Sequence, residues 1–130
     1  MYYLLVAYND IINIMKGDLS EIQKQIVKFR DERDWKQFHN AKDLAISLNL
    51  EASELLEHFQ WKNGEEIKKH IEDKKEDIGD ELADVLYWVL LIANDLDIDL
   101  YEASSRKLNK NAKKYEVEKS KGNHKKYTEL

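Results

Sequence analysis

Two pairs of acidic residues at helical spacing are the side chains of this sequence best suited to chemistry. Glu51 and Glu54 lie three positions apart, and Glu81 and Asp84 repeat that spacing about thirty residues later. Because residues three apart on a helix share one face, each segment presents two carboxylates together. If the two helices pack against each other, up to four carboxylates converge, and such a cluster requires a cation. Oxygen ligands without thiolates favour Mg²⁺, Mn²⁺ or Ca²⁺ over zinc or copper.

The ordinary explanation of such pairs is a solvated helix face, since the chain has 26 Asp and Glu residues. Their position favours a site instead. Glu51 and Glu81 border the apolar faces of their predicted helices, where a carboxylate loses water and needs a partner. No Lys or Arg stands three or four residues after either one. A cation from solution is therefore the simplest partner.

Other chemistries lack their residues. The chain has no Cys, no G-x-S-x-G motif and no glycine-rich phosphate loop. A di-iron carboxylate bundle would need Glu three residues before His. None of the four histidines has one: His39, His58, His70 and His124. Hydrolysis by metal-activated water is the chemistry that remains.

Aromatic and basic residues offer partners for a nucleotide. Trp35, Trp61 and Trp88 either belong to the core or stack on a base beside a metal–phosphate site. Polar and basic residues near the C-terminus either neutralise phosphates or form a solvated, basic helix end. These are Asn111, Lys113, Lys114, Lys125 and Lys126.

Helices must position these groups. Hydrophobic periodicity predicts helices over residues 19–33, 41–60, 74–95 and 100–115, and a short helix or ordered loop over 65–72. Asp18, Asn40, Asp73 and Asp99 are expected to cap helix starts. We expect residues 35–40 to form a loop and residues 116–130 to form an extended tail. The predicted buried face of the second helix is Leu44, Leu48, Ala52, Leu55 and Phe59. That of the long fourth segment is Ile78, Leu82, Val85, Val89, Ile92 and Leu96.

Composition bounds the class of protein. A chain of 130 residues without proline and with four glycines predicts one compact helical domain. The net charge of −5 argues against a general nucleic-acid coat protein, although residues 106–126 are locally basic. The first seventeen residues lack the basic start and small-residue cleavage site of a signal peptide, and Asp10 interrupts them, so we expect no membrane span. A cytoplasmic protein is compatible with these features.

Several blocks of sequence together resemble one family. They are FRDERDWKQFH (29–39), LEASELLEHFQWK (50–62), DELADVLYW (80–88), NKNAKKY (109–115) and KKYTEL (125–130). With the two acidic pairs, they resemble the MazG-like nucleotide pyrophosphohydrolases, and within them the small deoxycytidine triphosphate pyrophosphatases. The resemblance runs from about Leu19 to the C-terminus.

The resemblance implies an all-α, MazG-like bundle of about four to five helices, assembled through subunit contacts into a homodimer or homotetramer. Residues 1–18 would form an N-terminal extension of unknown role, 19–116 the helical catalytic domain, and 117–130 a basic tail. The implied activity is Mg²⁺-dependent cleavage of a nucleoside triphosphate, such as dCTP or a modified analogue, to monophosphate and pyrophosphate. Mn²⁺ is the alternative ion, and neither a nucleic-acid polymer nor a membrane is expected as a partner.

The resemblance also implies residue roles. Glu51, Glu54, Glu81 and Asp84 would hold the metal and carry catalysis. The implied substrate-binding residues are Trp35, Trp61, Trp88, Asn111, Lys114 and Tyr127. Ile26 stands where the animal enzymes have a base-contacting histidine, which leaves the base preference open. The alternative to an enzyme is a non-catalytic helical module for oligomerisation or partner binding.

Overall fold

All regular structure in the described part of the chain is helical. The structure is a computed structural model and describes residues 18–129. In that range it has α1 Leu19–Asp31, α2 Ala41–Glu57, α3 Gly64–Asp73, α4 Lys75–Asp95, α5 Leu100–Lys114 and α6 Val117–Ser120. Short 3-10 helices cover Trp35–Phe38 and Tyr127–Glu129. The predicted all-α class is confirmed. Residues 1–17 of the predicted N-terminal extension lie outside the described residues.

The chain forms two compact units, one reaching to Leu96 and one beginning at Asp97. The first unit contains α1 to α4, and the second contains α5 and α6. The predicted limits of a catalytic domain at residues 19 and 116 stay a prediction. Within residues 18–129, no helix has both the length and the apolar character needed to cross a membrane.

Three of the four predicted helix caps form. The side chains of Asp18, Asn40 and Asp99 each accept a hydrogen bond from a backbone N–H in the first turn of the helix that follows. Each cap satisfies a donor that has no partner inside its helix. The prediction for Asp73 is wrong, because Asp73 is the last residue of α3, and α4 begins at Lys75 without a side-chain cap.

Three connections between helices contain a non-glycine residue with a left-handed backbone. Asp34, Trp61 and Asp97 follow α1, α2 and α4 with φ angles of 55°, 69° and 52°. Such values are uncommon for residues other than glycine, and they change the direction of the chain between helices. The first two helices end two to three residues earlier than predicted, at Asp31 and Glu57, before these left-handed residues.

Two segments predicted without regular structure contain short helices. Residues 35–40 were expected to form a loop, but Trp35–Phe38 is a 3-10 helix. The expected extended tail is also wrong, because α6 and a terminal 3-10 helix lie within it. Local hydrogen bonds explain the difference: the Glu116 carbonyl accepts the N–H of Ser120 at 2.9 Å, and no apolar periodicity is needed for one turn.

The core of the first unit surrounds the second half of α4. Its buried apolar residues are Leu44, Leu90, Leu91 and Ala93. The predicted buried face of α4 is partly wrong, since Leu82 and Leu96 are 52% and 51% exposed. Both α1 and α2 pack on α4, so its second half is enclosed from two sides. Adjacent residues such as Leu90 and Leu91 are therefore both buried, which a one-sided helix would not allow.

A buried ion pair also joins α1 to α4. Arg30 is 0% exposed, and its Nη1 donates to both carboxylate oxygens of Asp95 at 2.9 and 2.8 Å. Its Nε donates to Asp31 at 3.0 Å. Burial by itself opposes both charges, but the hydrogen bonds outweigh it, so the pKa of Arg30 is raised and that of Asp95 is lowered. The pair fixes the end of α1 on α4.

Candidate functional site

Three of the four predicted metal-binding carboxylates converge between α2 and α4. Glu51 from α2 and Glu81 and Asp84 from α4 each offer an oxygen, and these oxygens all lie within 4.8 Å of one another. Glu51 and Glu81 are half-buried and Asp84 is exposed. The helical spacing of Glu81 and Asp84 gives them a common face, and the packing of α2 on α4 adds Glu51. Glu54 is exposed and lies outside this group of three.

The surroundings of Glu81 are unfavourable for a charged carboxylate. Its Oε2 atom is buried and has no hydrogen-bond partner within residues 18–129. Burial raises the pKa of Glu81, and the negative charges of Glu54 and Asp84 raise it further, against a smaller opposing effect of His58. A half-buried carboxylate beside other acids and without a donor is costly unless a cation binds it. The residues therefore fit a hard divalent ion, since all the donors are carboxylate oxygens.

An aromatic pocket borders these carboxylates. It has a volume of about 480 Å³, within the usual size range for ligand pockets. Its walls come from α1, the 3-10 helix after it, α2 and α4, and they are mostly apolar. The lining residues are Gln25, Ile26, Phe29, Trp35, Glu51, Asp84, Tyr87 and Trp88. An apolar cavity that ends at two carboxylates suits a ligand with a flat ring and a group that binds cations.

Aromatic rings in the pocket wall pack edge to face. Phe29 lies 5.8 Å from Trp35 and 6.4 Å from Tyr87 between ring centroids. The guanidinium of Arg33 covers the Phe29 ring at 3.6 Å. Burial raises the pKa of the Tyr87 hydroxyl, against the opposing charges of Arg30 and Arg33. This wall is therefore a packed unit that reaches from α1 to α4.

Trp88 connects the pocket to the acidic cluster. It lines the pocket, and its Nε1 donates a long hydrogen bond of 3.4 Å to Glu51. Its ring meets His39 edge to face, with centroids 5.6 Å apart. Trp88 stands four residues after Asp84 on α4, so helical geometry puts the two side chains on one face. An N–H donor to a ligand carboxylate orients that carboxylate.

The structure does not bring all predicted substrate residues into this pocket. Trp35 and Trp88 line it, whereas Trp61 is 90% exposed and is not among the lining residues. A core role for Trp61 within this chain is wrong. The three remaining residues are Asn111, Lys114 and Tyr127, which belong to the second unit. There Lys114 Nζ lies 4.9 Å from the centroid of the Tyr127 ring. Their substrate contacts stay predictions.

Sequence analysis missed several pocket residues. Gln25 and Phe29 were not singled out as candidate site residues, although Phe29 begins one of the sequence blocks that resemble the family. Gln25 carries no chemical signature and lines the pocket because α1 packs on α4. A signal existed only for Ile26, which the family resemblance placed at the base-contacting position, and the structure puts Ile26 in the pocket wall.

Known proteins of one family are similar to this chain in sequence and in fold. The sequence profile of the MazG-like family matches residues 46–130. Mouse (Mus musculus) dCTP pyrophosphatase 1 is 37% identical over 114 residues, which cover 86% of this chain and 67% of the mouse protein. The human (Homo sapiens) protein of that name is 34% identical over 114 residues, with the same shares. The crystal structure of a pyrophosphatase from Archaeoglobus fulgidus superposes with a TM-score of 0.73 and 36% identity, covering 78% of this chain and 94% of that one.

Proposed function

The chain belongs to the dCTP pyrophosphatase branch of the MazG-like family, and we propose that it is a nucleoside triphosphate pyrophosphohydrolase that depends on a divalent cation. Its products are the nucleoside monophosphate and pyrophosphate. Relatives named as pyrophosphatases support the general activity. The observation that supports the cation site most strongly is the buried, unpartnered oxygen of Glu81 in a group of three carboxylates beside an aromatic pocket.

Glu51, Glu81 and Asp84 would hold the ion, and Mg²⁺ is the leading candidate because every donor is a hard carboxylate oxygen. When bound there, Mg²⁺ would supply positive charge for the triphosphate and would make water a better nucleophile. Trp88 donates to Glu51 and fixes the orientation of that carboxylate. Mn²⁺ suits the same donors and is the alternative ion.

Glu54 has a separate role in this proposal. The sequence assigned all four acids to the metal, but Glu54 lies outside the group of three, and its charge still raises the pKa of Glu81. An exposed carboxylate next to the cluster is free to accept a proton. We therefore assign Glu54 as the base that orients the attacking water toward the α-phosphorus. No protein nucleophile is needed.

The aromatic pocket would hold the base of the nucleotide. Trp35 and Tyr87 offer ring faces or edges, and the amide of Gln25 offers both a donor and an acceptor. The triphosphate would then point to Glu51 and Asp84, the two acids at the border of the pocket. A deoxycytidine triphosphate, or a modified form of it, is the leading substrate because four relatives are named for dCTP.

The proposal also covers the oligomeric state of the chain and its cellular location. We propose a homodimer or homotetramer, supported by large apolar side chains exposed on α2: Ile46, Leu50 and Leu56 are 51%, 57% and 60% exposed. Light scattering on the purified chain would test it, and a monomer at working concentration would contradict it. A nucleoside triphosphate substrate suits a cytoplasmic enzyme.

Two carboxylate variants test the assignment of roles. Glu81→Gln should abolish both the rise in Tm caused by Mg²⁺ and the release of pyrophosphate from dCTP, because it removes an ion ligand. Glu54→Gln should keep most of the Mg²⁺-induced rise in Tm but lose about two to four decades in kcat, the usual contribution of a general base. Glu57→Gln, an exposed acid of α2, is the matched control and should behave like the parent. Equal behaviour of Glu54→Gln and Glu57→Gln would remove Glu54 from the mechanism.

A further inference from the structure

A second group of metal-ligand side chains lies outside the acidic cluster. His58 follows the last residue of α2, and His70 lies in the last turn of α3. The Nδ1 atom of His58 is 3.0 Å from the Nε2 atom of His70, and both side chains are half-buried. The ring centroids are 5.3 Å apart at an interplanar angle of 47°. The twelve-residue separation in sequence gives no helical signal for this pair.

Two facing ring nitrogens at this distance share either a proton or a cation. With one proton, one ring donates and the other accepts, but two protonated rings would place donor against donor. Burial lowers the pKa of His70, and the charges of Lys62, His58 and Lys74 lower it further, against a smaller opposing effect of Asp73. Neutral imidazole is the form that binds a metal.

We propose that His58 and His70 form a second metal site, one that takes a borderline divalent ion such as Zn²⁺ and joins the end of α2 to α3. Two imidazole nitrogens on a tetrahedral zinc, at about 2.0–2.1 Å each, stand about 3.3–3.4 Å apart. The observed 3.0 Å needs to open by only a few tenths of an ångström. Imidazole suits Zn²⁺, Cu²⁺ and Ni²⁺, whereas the carboxylate cluster suits Mg²⁺, so the chain would separate the two classes of ion.

The charges around the pair are of both signs: Lys62 and Lys74 oppose a cation, and Asp77 favours one. The pKa of Asp77, in the first turn of α4, is lowered mainly by Lys74 and in smaller part by His58 and His70. Lys74 Nζ forms an ion pair with the Asp77 carboxylate at 2.9 Å, which offsets part of the repulsion between this lysine and the ion. Water would complete the coordination of the two rings. Because the unfolded chain holds no such pair, binding would stabilise the fold.

Thermal unfolding of the full chain with increasing Zn²⁺, in excess Mg²⁺ at neutral pH, tests this site. Zinc should raise the Tm of the parent, and His70→Asn and His58→Asn should each weaken zinc binding at least tenfold. His124→Asn removes an exposed histidine of the second unit and should respond like the parent. Glu81→Gln should also keep the zinc response while losing the Mg²⁺ response, which separates this site from the proposed catalytic one.

Several results would overturn the proposal. An unchanged Tm of the parent in zinc would show that the pair shares only a proton. An unchanged zinc response in His70→Asn, or its loss in Glu81→Gln alone, would place the zinc elsewhere. If either histidine variant melts far below the metal-free parent, the visible absorption of the Co²⁺-loaded parent is the deciding measurement. Nitrogen ligands should give a tetrahedral Co²⁺ band that persists in Glu81→Gln. The absence of this band would contradict the site.

Discussion

Breaking the buried ion pair between α1 and α4 should destabilise the protein strongly and damage the pocket. Asp95→Ala leaves the Arg30 guanidinium, which is 0% exposed, with Asp31 as its remaining acidic partner. Removing one partner of a buried pair costs about 3–5 kcal/mol. The Asp95 side chain is 19% exposed, so water reaches the site and the low end, about 3 kcal/mol, is expected. For a chain of this size that corresponds to a fall in Tm of roughly 10 °C.

Urea unfolding at neutral pH measures this loss. Glu32→Ala is the matched control, because it breaks the Lys28–Glu32 pair, whose side chains are 75% and 57% exposed. Such a surface pair contributes only about 0–1 kcal/mol. The pKa of Asp95 is lower in the folded state than its ordinary value of 3.8. The stabilisation by Asp95 is therefore present above pH 3.8 and is lost as the pH falls through the folded-state pKa. The difference between parent and Asp95→Ala should therefore shrink in strong acid.

The same variant connects stability with function. Phe29, next to Arg30, lines the pocket, so a loosened α1 should raise the KM for nucleotide. The carboxylates lie on α2 and α4, so the Tm rise caused by Mg²⁺ should persist. Equal losses in Asp95→Ala and Glu32→Ala, or a loss below about 1 kcal/mol for Asp95→Ala, would refute the argument that this pair fixes α1.

Three further predictions follow from the site. Without divalent ions, the contribution of Glu81 to stability should become less favourable as the pH rises above 4.5, because its raised pKa lets the folded state hold a proton that the unfolded chain releases; urea titrations of the parent and of Glu81→Gln at several pH values separate this contribution from the opposite one of His70. Trp35→Ala should raise the KM for dCTP by about one to two decades, since a stacked base loses about 1–3 kcal/mol, whereas Trp61→Ala, at an exposed position, should leave the Tm unchanged. Trp88→Phe should weaken Mg²⁺ binding about tenfold, by loss of the N–H donor to Glu51.

Each of these has a contradicting result. The same pH dependence in the parent and in Glu81→Gln would show that Glu81 is not destabilised in the ion-free fold. A KM for Trp35→Ala equal to that of the parent would remove the stacking role. Unchanged Mg²⁺ affinity in Trp88→Phe would show that the long hydrogen bond does not orient Glu51.

Local chemistry in the sequence was sufficient to predict the helices and the acidic face of α4. Asp18, Asn40 and Asp99 mark the starts of helices, because a short polar side chain there can accept hydrogen bonds from the unpaired N–H groups of the first turn. Glu81 and Asp84 share a face by helical geometry alone. The family resemblance supplied the pairing of this face with Glu51, and the packing of α2 on α4 agrees with it.

Features that depend on tertiary contacts could not be predicted. The burial of Leu90 and Leu91 on neighbouring faces requires knowing that α1 and α2 both cover α4. The Arg30–Asp95 pair spans 65 residues, and the His58–His70 pair joins two helices whose angle no local pattern sets. The exclusion of Glu54 from the group of three also depends on how α2 is rotated against α4.

One labelling experiment tests the central claim, which is hydrolysis at the α-phosphorus by the cluster of Glu51, Glu81 and Asp84. The parent and Glu81→Gln are incubated with dCTP and Mg²⁺ in water labelled with heavy oxygen, and the products are weighed by mass spectrometry. We expect monophosphate carrying the label, unlabelled pyrophosphate, and no turnover by Glu81→Gln. Label in the pyrophosphate, release of diphosphate and orthophosphate, or full activity of Glu81→Gln would contradict the proposed reaction and its site.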